Sequence, residues 1–264
     1  VVTVAHFEDV DRFHIVLVGC GGTGSYILYY LSRLMFTEKE KPANKRTTLI
    51  LVDGDTVEHK NLYRQNYVAE DVGRNKAAVL ARRYGNAYGI NLEYCDYFIE
   101  TPEMLKKLLK YTYRNTCHIM PVIIGAVDNY RARRVLHETF EDFSKENYYN
   151  NILYVDAGNS EFTGQVVIGA RYREWKKHLN LFPAGCIFPN LLEPEDGDEG
   201  EPVSCADLSL RDGQTIMANM ATASLVNMAL NNIINHRKIP FHIASVDTRT
   251  CKVKTVPVRK MKKS

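Results

Sequence analysis

The chain has 264 residues, 45% hydrophobic and 25% charged, the balance of a globular protein with a large core. Its 34 Lys and Arg residues against 31 Asp and Glu leave a net charge of +3, too small to argue for a nucleic-acid or membrane-surface partner. Six cysteines at 20, 95, 117, 186, 205 and 251 form no Cys-x-x-Cys pair. With no secretory leader in view, they point to a reducing, cytoplasmic compartment rather than a disulfide framework.

Residues Val1 to Arg12 read as a short arm. The apolar run His14 to Val18 is a strand, followed by Gly19-Cys20-Gly21-Gly22-Thr23-Gly24 and a helix-like segment from Ser25 to Phe36. A strand entering Gly-x-Gly-x-x-Gly and leaving into a helix is a phosphate-cradling turn: glycines admit the backbone of the loop to a polyphosphate, and the N–H groups of the helix start point at it. Cys20 is expected to pack behind that turn. The next apolar run, Leu49 to Val52, ends in Asp53-Gly54-Asp55. An acidic residue at this tip is where a nucleotide ribose is held. The polar stretch Thr37 to Arg46 reads as a surface insertion that lengthens the gap between Gly24 and Asp53.

A helix with Asp71 as its N-cap is expected to run through Ala81, then a strand over Leu92 to Phe98. Thr101-Pro102-Glu103 opens a helix with Met104, Leu105, Leu108 and Leu109 on one face. Pro121 to Val127 is a buried strand ending in Asp128-Asn129, ahead of a helix over Arg131 to Phe143. Further strands are expected over Ile152 to Gly158 and Phe162 to Ile168. The alternation of strand and helix implies an α/β fold, a Rossmann-like, mainly parallel sheet covered on both faces. The apolar run Ile216 to Ile234 carries Asn219, Asn227, Asn231 and Asn232, whose amides would be costly in a bilayer; it reads as part of a core helix from Gln214 to His236. Cys95, Cys117 and Cys251 read as core, and the basic end Arg259 to Lys263 as a solvated tail.

Between these elements stand Asp55, Val57, Asn61, Leu62, Arg64 and Gln65, then Gly73 and Lys76. This order, Asp-x-Val-x-x-x-Asn-Leu-x-Arg-Gln followed by Gly-x-x-Lys after a glycine turn, resembles the ThiF, MoeB and ubiquitin-activating superfamily of E1-like adenylyltransferases, in the form of its compact, bacterial-type ThiF members. The resemblance implies one adenylation domain over 1–264, with a nucleotide-binding half over 1–160 and a substrate-docking half over 161–264 that turns antiparallel. A crossover loop is placed at about 190–204, containing the acidic run Glu193 to Glu201. It implies ATP and magnesium as cofactors. Gly19, Gly21, Gly22, Gly24, Asp53, Asp55, Asn61, Arg64, Gln65, Lys76 and Asp128 would bind the nucleotide. Arg64 and Lys76 would neutralise the triphosphate, and Asp128 would position the magnesium. Arg131, Arg133 and Arg134 match less closely and stay open, as does the source of the arginine that an N-terminal segment supplies in relatives, since Arg12 lies too near the first strand.

Cys205 ends the crossover loop, where relatives place the thiol that accepts the activated acyl group; the alternative is a buried small hydrophobe. Gly185 to Pro189 resembles the end of a family Cys-x-x-Cys pair, but position 183 is Pro, and Asp247 to Lys254 resembles the strand before the family's second pair, which does not follow, so no zinc site is expected. The implied activity is ATP-dependent adenylation of the C-terminal carboxylate of a ubiquitin-like or sulfur-carrier protein ending in glycine, by a homodimer without membrane or nucleic-acid partners. Competing readings are adenylation of a small-molecule, peptide or tRNA-linked carboxylate, and a non-catalytic partner subunit of an activating complex. A nicotinamide oxidoreductase comes last.

Overall fold

The computed structural model describes residues 5–7, 9–110, 119–145, 151–172, 175, 181–194 and 215–259. Cys117, Cys205 and most of the expected crossover loop lie outside them. Ten strands and six α-helices are seen among the described residues. β1 (Ala5–His6) pairs antiparallel with β8 (Lys238–Ile239) in a small ribbon. The main sheet contains β2 (Arg12–Val18), β3 (Thr48–Val52), β4 (Glu93–Cys95), β5 (Ile119–Gly125), β6 (Ile152–Asn159), β7 (Thr163–Arg171), β9 (Ile243–Asp247) and β10 (Lys252–Val256). Their spatial order is β10-β9-β7-β6-β5-β2-β3-β4.

The sheet is parallel from β4 through β6 and antiparallel from β6 through β10. Strand β2 lies between β3 and β5, so the chain leaves β2 to one side, returns, and continues on the other. That reversal opens a crevice at the carboxyl ends of β2, β3 and β5, where open α/β sheets hold ligands. Alternation along each strand sends side chains to two cores. Phe13, Ile15 and Leu17 pack with α1 (Gly22–Thr37), α2 (Lys76–Tyr88) and α6 (Ile216–His236); Val16 and Val18 pack with α3 (Pro102–Lys110) and α4 (Tyr130–Lys145). A short α5 (Ala184–Ile187) completes the set.

Several expectations are corrected. α2 starts at Lys76, not Asp71, because Gly73 turns the chain with φ +83° and Asn75 takes the cap, its side chain accepting from the Ala78 N–H. Asp71 instead accepts from the Val68 N–H and pairs with Arg83. β4 is confined to Glu93–Cys95, since its partner β3 ends at Val52 and leaves later residues no strand to pair with. The helix expected from Ser25 begins at Gly22, inside the glycine turn. Cys251 is exposed in the β9–β10 turn with φ +53° and is not core, whereas Cys95 is half-buried and packs against the edge of the second core. No described helix is long and apolar enough to cross a membrane.

Candidate active site

The glycine turn follows β2 and is folded tightly on itself. Gly19 has φ +92°, donates its N–H to the Val52 carbonyl at 2.9 Å, and lies so near β5 that a Cβ there would stand 2.4 Å from the Ala126 oxygen. A Cβ on Gly24 would stand 1.9 Å from the Gly19 oxygen. Backbone, rather than side chains, lines this approach, and the first turn of α1 begins directly behind it. Cys20 is fully buried, and burial followed by the Asp53 charge pushes its thiol well up, so it packs as expected and carries no thiolate.

Asp53, at the tip of β3, is buried and fastens the turn: one carboxylate oxygen accepts the Cys20 N–H at 2.6 Å and the other the Asp55 N–H at 2.9 Å. Burial raises its pKa against the opposing pull of Lys76 and those N–H groups. A ribose at Asp53 would share a carboxylate already engaged in holding the loop, where each oxygen keeps a second acceptor site. The Asn75 amide donates to the Asp53 and Asp55 carbonyls, and the Tyr67 hydroxyl to the Cys20 carbonyl at 2.6 Å. Phe98, an exposed ring, lies against Gly54, where a Cβ would come within 2.6 Å of it.

Lys76 is 6% exposed, and its ammonium donates to Asp55 at 2.9 Å. Burial alone would lower its pKa, but Asp53, Asp55 and Asp128 together reverse that and leave it raised, so it is cationic at neutral pH. Asp128 is exposed just past the end of β5, and its charge is felt at both Lys76 and Arg133. The structure thus gathers Gly19 to Gly24, Asp53, Asp55, Lys76 and Asp128 around the crevice.

Asn61, Arg64 and Gln65 belong to the connection between β3 and α2, at the 3-10 turn His59–Tyr63. Asn61 is buried and caps that turn, its side-chain oxygen accepting from the Glu58 N–H at 2.8 Å. Gln65 is buried beside Gly21, and its side-chain oxygen has no hydrogen-bond partner among the described residues. The nitrogen of the same amide lies nearest Gly21, and a buried acceptor without a partner is costly unless something else meets it.

The open arginines divide. Arg133 is buried against Asp156 at 3.2 Å and donates to the Val127 carbonyl, a structural tie across the ends of β5 and β6. Arg134 donates to the Leu192 carbonyl, holding the segment that leads towards residue 195, and Arg131 stacks beside Tyr130. Thr23, Asn159 and Asn219, which the sequence does not single out as site residues, join behind the turn. Asn219 had a signal: a polar amide in an apolar helix demands a partner.

Among the described residues no group of three or more His, Cys, Asp or Glu side chains could hold a metal ion by itself. Three carboxylates facing one lysine would repel a polyphosphate, and hard carboxylate oxygens suit magnesium held partly by phosphate oxygens. The residues fit a magnesium–nucleotide complex on those terms, and exposed Asp128 would be the protein carboxylate available to it.

No curated protein sequence matches the chain. Among solved structures it is similar to PaaA, with 19% identity and a TM-score of 0.61, over 96% of this chain and 66% of that one. It is likewise similar to E. coli MccB with ATP (16% identity, TM-score 0.61, 94% and 64% covered) and to the microcin C7 biosynthetic enzyme MccB with N-formylated MccA (17%, 0.62, 97% and 67%). The chain spans about two thirds of the length of these proteins, which share its fold. The ThiF family model matches residues 1–264, so this chain belongs to the ThiF family.

Proposed function

We propose that the chain is an ATP-dependent adenylyltransferase acting on the C-terminal carboxylate of a ubiquitin-like or sulfur-carrier protein that ends in glycine. The observation that carries this reading is the convergence of the glycine turn, cationic Lys76 and exposed Asp128 at the crevice between β3, β2 and β5. Membership of the ThiF family and similarity to an ATP-bound MccB structure support it.

A carboxylate has no good leaving group. Adenylation supplies one: a carboxylate oxygen attacks the α-phosphorus, the bond to the β-phosphate oxygen breaks, and pyrophosphate leaves. Lys76 and Arg64 offset the negative charge that grows on the phosphate oxygens, and the glycine turn lets backbone N–H groups approach them. Asp53 and Asp55 hold the turn and Lys76 in register. Magnesium at Asp128 would neutralise phosphate charge when bound. On this reading Cys205, outside the described residues, is the thiol whose thiolate attacks the acyl carbon and expels AMP. The active form is a homodimer.

ATP–pyrophosphate exchange tests the proposal, run with the chain alone and with candidate carriers ending in glycine. Exchange that needs one such carrier supports it. The likeness to MccB bound to N-formylated MccA favours a second reading, in which the carboxylate belongs to a different peptide-like acceptor. ATP binding without carrier-dependent exchange would select that reading.

A further inference from the structure

Asn219 lies in the first turns of α6, wholly buried, and four parts of the molecule meet at its amide. Its oxygen accepts from Thr23 in the glycine turn at 3.2 Å and from the Asn159 amide at the end of β6 at 2.9 Å. The single Thr23 hydroxyl proton is shared with the Asn159 oxygen, the shorter contact at 2.9 Å. The Asn219 nitrogen donates to the Arg64 carbonyl at 3.3 Å. Gly22 is pressed so closely that a Cβ there would lie 2.6 Å from the Asn219 nitrogen. The Arg64 carbonyl, which can only accept, sets the orientation of the amide: turning it over would face oxygen to oxygen.

We infer that Asn219 is a positioning residue for nucleotide binding, setting the placement of Arg64 relative to the glycine turn. The inference rests on the proposed ATP site but adds a residue that the motif does not contain. Arg64 follows a short 3-10 turn, and its neighbour Gln65 has a buried oxygen without a partner. The Asn219 bond adds a tie to this segment from across the fold. The same helix turn is fixed from the other side, because Thr215 caps α6 and donates to the Glu161 carbonyl at 2.9 Å. Thr215 thus fixes the start of α6, from which the Asn219 amide reaches the Arg64 carbonyl.

A buried asparagine that served only to pack α6 would affect stability and nothing else. The discriminating experiment is a double-mutant cycle in ATP affinity, measured calorimetrically with magnesium on the full chain: wild type, Arg64→Ala, Asn219→Ala and the double variant. Each single change is expected to weaken ATP binding by roughly tenfold, and the double variant to bind about as weakly as Arg64→Ala alone, since Asn219 acts through Arg64. Losses that multiply would overturn the inference, as would an Asn219→Ala protein that binds ATP like wild type. Should Asn219→Ala not fold, Thr23→Val replaces it: this near-isosteric change deletes a hydrogen bond to the amide and should show the same non-additivity, smaller in size. A wild-type chain that binds no ATP would remove the proposed function and this inference together, whereas ATP binding with multiplying losses removes this inference alone.

Discussion

Replacing Gly24 by alanine tests whether the turn is as closed as its geometry implies. The added methyl would sit 1.9 Å from the Gly19 oxygen and 2.9 Å from its carbon, about 1.5 Å inside an ordinary contact. Those atoms cannot swing away like a side-chain tip. Gly19 is tied by its N–H to Val52, and its own α-carbon faces the Ala126 oxygen, where a Cβ would stand only 2.4 Å away. Relief therefore means lifting the turn off β3 and β5, which breaks the Cys20 N–H bond to Asp53 and leaves that carboxylate buried with one acceptor unmet. Overpacking of about 2–3 kcal/mol plus part of a buried hydrogen bond gives an expected destabilisation of roughly 3 kcal/mol. Gly73→Ala is the control: it has φ +83° but open space around it, so only the left-handed backbone penalty of about 1 kcal/mol applies. Urea unfolding and ATP calorimetry on both variants read the contrast. Gly24→Ala should be the less stable and lose ATP binding, while Gly73→Ala retains it. A Gly24→Ala protein with near wild-type stability and affinity would refute the reasoning.

Lys76→Met should weaken ATP binding by tenfold or more in a folded protein, because it leaves Asp53, Asp55 and Asp128 facing the phosphates unopposed. Arg133→Met strands the Asp156 carboxylate, which also accepts from Tyr154 at 2.6 Å, and should cost about 3 kcal/mol in denaturant unfolding. Adding Asp156→Asn to it should recover part of that loss. His14 is buried between Thr48 and the Leu108 carbonyl, and burial lowers its pKa. The unfolded chain then takes up a proton below about pH 6.5 that the folded chain refuses, so stability should be full above that pH and fall as pH drops towards the folded pKa. A His14→Phe variant should lack that component of the pH slope.

What the sequence made legible was local chemistry. The strand–glycine turn–helix, the acidic tip at Asp53 and the ordered run from Asp55 to Lys76 are each readable from residue types close together in the chain, and the fold brings most of them to one crevice. Boundaries failed where two residues could do the same job: Asp71 and Asn75 are both good caps, and the positive φ of Gly73 decided between them. The expected strand over Leu92 to Phe98 failed because an edge strand lasts only as long as its neighbour. Cys251 looked like core until the tight β9–β10 turn placed it outside. Asn219 stood out as an amide in an apolar helix, but its cluster with Thr23 and Asn159 could not be read, since it joins residues far apart in the chain that only the packing of α1, β6 and α6 brings together.

The central claim is that a terminal carboxylate becomes an acyl adenylate. Hydroxylamine trapping tests it most directly: the chain is incubated with magnesium, ATP, hydroxylamine and a carrier protein ending in glycine, and the carrier's mass and the nucleotide products are measured. The account predicts an ATP-dependent hydroxamate at the terminal glycine with stoichiometric AMP and pyrophosphate, suppressed in Lys76→Met. ATP bound but cleaved to ADP and phosphate, with the carboxylate untouched, would contradict it.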